Sequence, residues 1–224
     1  MFILDLMQRS QNLVGGALVA TVVLASVLRT IVQVPPSFFG QKAHVFNVLF
    51  VKNGWAWTSL PAFLDFYQHP KLQPFLRWAS FTASWLVISY GFLGYPSIIS
   101  IIQHSTMVCS SAIFATAETC ALAGHHWAGT DISGHCFLLV HSILYLVEEH
   151  RISTLAVHSH FRKYSNLTIF KFSLMFLWYI MFLSTTLYFH SVFENMVGVF
   201  FGIIPWILMY AVAEGVDVAK EKLE

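Results

Sequence analysis

Stretches of uncharged, apolar residues close to twenty long recur along this chain, and about 20 such residues are what an α-helix needs to cross the hydrocarbon core of a bilayer. Residues 79–102, 172–189 and 196–213 carry no charge, and 13–34 carries only Arg29. In lipid every backbone N–H and C=O must find its partner within the segment, so runs of this kind are read as helices. Charged residues make up 10% of the 224, against the roughly 25% that coats a soluble domain. The expected fold is all-α: a polytopic membrane bundle in one domain, 1–224, with about six spans at 13–34, 45–64, 79–102, 132–147, 172–189 and 196–213. The first of these is read as a retained span, because its apolar run exceeds a usual signal-peptide core. Residues 107–123, apolar but rich in small side chains and holding Glu118, are read as a re-entrant or interfacial segment, with a crossing as the alternative.

Basic residues prefer the cytosolic side of short loops. With six spans, Arg9, Lys71, Arg77, Arg151, Arg162, Lys163, Lys171, Lys220 and Lys222 face the cytosol, and only Lys42 lies in a loop on the far side. A crossing at 107–123 would scatter them, so both termini are expected to be cytosolic. The net charge of +1 argues against a nucleic-acid partner. Cys109, Cys120 and Cys136 form no CxxC pair, and neither a disulfide framework nor a zinc site is inferred. The 11 histidines show no metal-ligand spacing, so no metal and no cofactor is expected. No internal repeat is present, which weakens a transporter reading.

This topology places two histidines together. The fourth span starts on the lumenal side and the fifth returns to it, so His135 and His190 share one face at similar depth. An ionisable residue within a span is costly, and by default it is paired or functional. In TDISGHCFLLVH, residues 130–141, Asp131 or Ser133 caps the helix and leaves N–H groups free for an anion, while Gly134 allows a close approach. Glu194 lies four residues after His190; on one helix the carboxylate would hold one ring nitrogen while the other attacks or transfers a proton. Lys52, about two turns inside a helical second span, and Arg29 are the cations available for phosphate, or else they snorkel to the interface. Glu118 is a candidate partner for one of them, His125 and His126 are surface residues or line the site, and His141 stands off the face of His135.

DISGHCFLLVHSILYLVEE, FNVLFVKNGWAWT at 46–58 and LYFHSVFEN resemble the fat storage-inducing transmembrane (FIT) family, in the expected order and over most of the chain. That family is similar in turn to lipid phosphate phosphatases. Ser133, Gly134 and His135 match their second motif, and His190 with Glu194 the end of their third. Departures are Ile132 for Pro, Glu194 for Asp, Ser184 for the phosphate-binding Arg, and a missing first motif.

The resemblance implies an endoplasmic-reticulum hydrolase that cleaves the diphosphate of fatty acyl-CoA and supports lipid-droplet formation. His190 would be the nucleophile, oriented by Glu194, and His135 the acid and base. Ser133, Gly134, Asp131 and Lys52 would receive the substrate. The competing reading is a non-enzymatic bundle that binds diacylglycerol or triacylglycerol, with the small residues of 106–124 as a close contact or lipid groove.

Overall fold

The structure, a computed structural model, describes residues 2–32, 34–68, 72–113, 115–155 and 166–221. Lys71, Arg162, Lys163 and Lys222, part of the charge reading above, lie outside them.

Helix α6 (Gly134–Leu155) is the centre of the bundle. Phe137, Leu139, Val140, Leu144, Tyr145 and Leu146 point in several directions, and all are buried. A helix apolar on every side is stable only when others enclose it. The enclosing helices are α1 (Phe2–Ile31), α2 (Gly54–Gln68), α3 (Leu72–Trp85), α7 (Asn166–Tyr188) and α8 (Val192–Glu221). Val22 of α1, Phe81 of α3, Trp178 and Phe182 of α7, and Val199 of α8 complete the core. The seam with α8 is the tightest. A Cβ on Gly198 would stand 2.5 Å from the Ser133 carbonyl oxygen, and one on Gly202 would stand 2.8 Å from Val140 Cγ1. Glycines spaced four apart let two helix backbones meet at this range.

Among the described residues, three helices are long and apolar enough to cross a bilayer: Leu13–Ile31, Asn166–Tyr188 and Val192–Met209. Their outward faces carry exposed Leu24, Phe176 and Phe200, as a lipid-facing surface requires.

Two expected spans are not single helices. The stretch 45–64 divides into a π-turn (Phe46–Val51) and α2. The Asn53 amide donates to the Val48 and Leu49 carbonyls, a local alternative to the helical ladder. The stretch 79–102 breaks after a second π-turn (Leu86–Tyr90). Gly91, Leu93 and Gly94 take positive φ, Phe92 pairs with Tyr95, and helix α4 (Ile98–Ser105) follows. A Cβ on Gly91 would stand 2.2 Å from the Tyr95 carbonyl oxygen, so the turn depends on glycine there.

Among the described residues of 107–123 there is no helix long enough to cross a membrane. Strand β1 (Val108–Cys109) pairs antiparallel with β2 (Trp127–Ala128), with the six-residue α5 (Ala117–Leu122) between them. A Cys109–Cys120 disulfide closes this unit, where the spacing of the cysteines led to no disulfide being inferred; Cys136 is free and buried. Spacing could not reveal a bridge that forms only because the segment folds back on itself. Glu118 is exposed on α5 and pairs with neither Arg29 nor Lys52 among the described residues.

At the C-terminal end of α6 the charges are buried and paired. Glu149 takes a two-pronged contact from Arg77, Glu148 pairs with Arg151, and Lys171 of α7 reaches Asp65 of α2 at 3.0 Å. The Arg77–Glu149 pair ties α3 to α6 and the Lys171–Asp65 pair ties α7 to α2, while Glu148–Arg151 lies within α6, which continues past residue 147 to Leu155.

Candidate functional site

The site forms at the opposite end, where α6 begins and α7 gives way to α8. Of the two candidate caps for α6, Ser133 is the one used: its Oγ accepts from the Cys136 N–H at 3.3 Å. Ser133 is completely buried, and its own N–H donates to the Glu194 carbonyl. Asp131 is exposed, and its N–H donates to Glu194 Oε1 at 3.0 Å. Gly134 opens α6, and a Cβ there would meet nothing within 4 Å, so this first turn faces open space.

His190 does not share a helix with Glu194, contrary to expectation. Helix α7 ends at Tyr188, His190 adopts φ +58°, and α8 starts at Val192. That left-handed conformation costs a non-glycine residue about 1–2 kcal/mol. It is held from two sides: Arg29 Nη1 donates to the His190 carbonyl at 2.7 Å, and the Asn195 amide donates to the Phe189 carbonyl at 3.1 Å. Arg29 therefore supports the backbone of the turn. Ser191 and Glu194 form a reciprocal capping box, Ser191 N–H to Glu194 Oε2 at 2.8 Å and Glu194 N–H to Ser191 Oγ at 3.3 Å. The His190 ring still meets carboxylates through Nδ1: Asp131 Oδ2 at 3.6 Å and Glu194 Oε2 at 3.9 Å. Asp131 is the nearer of the two, and Nε2 is the nitrogen turned from both.

His135 enters on the first turn of α6. Its Nε2 lies 2.9 Å from Asn47 Oδ1. His190, Lys52, His44 and Lys42 are all within electrostatic range of its ring. The two histidines, 55 positions apart, thus meet in one neighbourhood rimmed by lysines. Lys52 is not buried within a helix; it is exposed at the end of the first π-turn. The site residues not singled out from sequence are Lys42, named there only as a loop charge, His44, and Asn47, which a straight second span would have pointed elsewhere. His44 packs against Phe38 and Phe39, with ring centroids 5.2 and 5.7 Å away, and burial pushes its pKa below the usual imidazole value.

His141 belongs to the core, stacked on Phe81 and bonded to the Phe81 and Gly202 carbonyls. Ser184 donates to the Phe39 carbonyl. His125 and His126 are exposed beside β2, on the disulfide-closed unit.

These features define a class: a multi-pass helical membrane protein with imidazole, carboxylate and ammonium groups gathered at one end of its bundle. The family follows from comparison. The pattern described as "FIT: Fat storage-inducing transmembrane protein" matches residues 35–169 and 156–210, and the chain belongs to that family. Similar relatives include the human acyl-coenzyme A diphosphatase FITM2, 34% identical over 211 residues, covering 85% of this chain and 78% of the relative. The protein of that name from Xenopus tropicalis is 33% identical over 213 residues, covering 86% and 79%. The one from Drosophila melanogaster is 26% identical over 238 residues, covering 83% and 54%. No solved structure matches the chain.

Proposed function

We propose that this protein is a membrane-embedded fatty acyl-CoA diphosphatase whose reaction runs between His190 and His135. The observation that carries the reading is the convergence of these two rings beside Lys42 and Lys52, with carboxylates behind His190 Nδ1. The relatives' shared name supports the substrate class. His190 Nε2 attacks a phosphorus of the diphosphate and forms a phosphohistidine, while His135 protonates the departing phosphate oxygen. His135 then takes a proton from water, whose oxygen displaces His190 and completes acyl-phosphopantetheine and adenosine 3',5'-bisphosphate. Asp131 and Glu194 orient His190. The lysines and the open first turn at Gly134 stabilise charge on the pentavalent phosphorus. Ser133 acts through its cap, which sets the direction of that turn.

In this reading six segments lie in the endoplasmic-reticulum membrane, both termini are cytosolic, the site faces the lumen, and the product supports lipid-droplet formation. The disulfide in the unit leading into α6 supports the lumenal assignment, because such bridges persist in oxidising compartments. The test is purified protein with palmitoyl-CoA, following adenosine 3',5'-bisphosphate release. His190→Ala and His135→Ala abolish release while inserting normally; turnover retained in either ends the two-histidine scheme.

The binding reading keeps one observation of its own. A groove of about 610 Å³ between α8 and the end of α3 with the π-turn that follows it, lined by Val87, Ile88, Phe201, Ile204 and Leu208, is apolar enough for a diacylglycerol or triacylglycerol chain. Lipid binding unchanged by His190→Ala, with no turnover in wild type, selects it.

A further inference from the structure

The geometry points to Asn47 as a positioning residue that locks His135 in a single tautomer and so decides which ring nitrogen does the chemistry. The inference rests on the two-histidine reading above. The Asn47 amide Nδ2 donates to the Lys42 carbonyl at 2.7 Å. A carbonyl accepts only, so this bond fixes which way the amide faces and leaves Oδ1 toward His135, 2.9 Å from Nε2. Oδ1 also accepts only, so Nε2 must carry a hydrogen. The neutral ring therefore keeps its lone pair on Nδ1.

Asn47 is well placed to impose this. It is buried at the start of the first π-turn, and its own N–H donates to His44 Nδ1 at 3.2 Å. Its carbonyl accepts from the Lys52 N–H at 2.9 Å, the i to i+5 bond that makes the turn. The residue that holds the ring is thus held at its side chain, its amide and its carbonyl. In the reaction the ring starts as imidazolium, with a second proton on Nδ1; Nδ1 gives that proton to the leaving phosphate oxygen and regains one from the attacking water, while Nε2 keeps its hydrogen on Asn47 throughout. His190 works with the opposite nitrogen, since its Nδ1 faces Asp131 and Glu194. The two rings are supported from opposite sides, and their free nitrogens are left for the substrate.

The experiment is long-range proton–nitrogen NMR on detergent-solubilised protein labelled with ¹⁵N-histidine, the His135 signals assigned by loss in His135→Gln. At pH 8 the expected wild-type ring is protonated on Nε2 and bare on Nδ1, and Asn47→Leu gives a mixture. Turnover of palmitoyl-CoA is measured alongside. Asn47→Leu lowers kcat about a hundredfold, the scale of a misplaced catalytic group, with KM unchanged. Asn47→Asp places a carboxylate on Nε2–H and moves the alkaline limb of the kcat profile to higher pH. Lys42, His44 and Lys52 from the 42–52 segment and His190 from the α7–α8 turn also face this ring, and both variants leave them in place. A wild-type ring protonated on Nδ1 overturns the inference. So does wild-type kcat with an unmoved limb in both variants while His135→Ala and His190→Ala are inactive. Activity in those two alanine variants instead overturns the two-histidine reading, and the NMR result is independent of it.

Discussion

Gly198→Ala is a single methyl group placed where the bundle has no room for one. The new Cβ would stand 2.5 Å from the Ser133 carbonyl oxygen and 3.0 Å from Cys136 Cβ. An ordinary contact is roughly 3.4 Å or more, so α8 and the first turn of α6 must part by about 0.9 Å. The opposing atom is backbone and cannot rotate away. Overpacking of this kind costs about 1–3 kcal/mol. The functional cost is expected to be larger than the stability loss suggests. Ser133 caps the turn that carries His135, and Glu194, in the first turn of α8, receives N–H groups from Asp131 and Ser191. Opening this seam moves one histidine against the other by a similar distance, and about 1 Å of misplacement costs on the order of a hundredfold in rate. Gly202→Ala is the control, one turn further along. Its Cβ would meet Val140 Cγ1 at 2.8 Å, Val140 Cβ at 2.9 Å and the Phe137 carbonyl oxygen at 3.0 Å, an equally tight contact but further from His135. The expected result is a similar fall in Tm for both variants in detergent, with kcat on palmitoyl-CoA much lower for Gly198→Ala. Wild-type kcat and Tm in Gly198→Ala, or equal loss of kcat in both, would refute the reasoning.

Arg77→Ala strips a buried two-pronged partner from Glu149 and is expected to cost about 3–5 kcal/mol, whereas Arg77→Met with Glu149→Leu costs far less; thermal unfolding of both in the same detergent decides. His44 has its pKa depressed by burial, so the unfolded chain binds its proton first as pH falls. Its contribution is whole above the ordinary value of 6.5 and declines as pH drops below that. Tm should therefore fall between about pH 7.5 and 5.5, less steeply in His44→Phe; identical slopes count against the assignment. Cys109→Ser opens a bridge of sequence separation 11, a constraint of roughly 3 kcal/mol on the unfolded chain. Oxidised wild type should exceed the variant in Tm, and dithiothreitol should erase the gap.

Much of the site was legible because it follows from chain direction alone. His135 begins one helix and His190 follows the end of the next, and two consecutive antiparallel helices bring those ends together whatever the rest does. The cap at Ser133 was legible too, as one of two options. The geometry around His190 was not. The i, i+4 spacing to Glu194 assumed a continuous helix, and a left-handed residue has no signature when it is a histidine held from outside by Arg29 and Asn195. Asn47 escaped notice, and Lys52 was expected inside a helix, for a related reason. A π-turn rotates the residues after it away from where 3.6-residue periodicity puts them.

By itself the sequence determined that the chain is helical and lives in a membrane, because apolar length and the need to satisfy the backbone in lipid are one-dimensional properties. It determined as well which end of the fourth and fifth helices the imidazoles occupy. The tertiary structure alone decided where apolar runs break, that Cys109 and Cys120 join, and which nitrogen of each histidine is engaged. Those outcomes depend on atoms far apart in the chain approaching within about 3–4 Å, the range over which hydrogen bonds, ion pairs and close packing act. No pattern of spacing carries that information until the helices have packed.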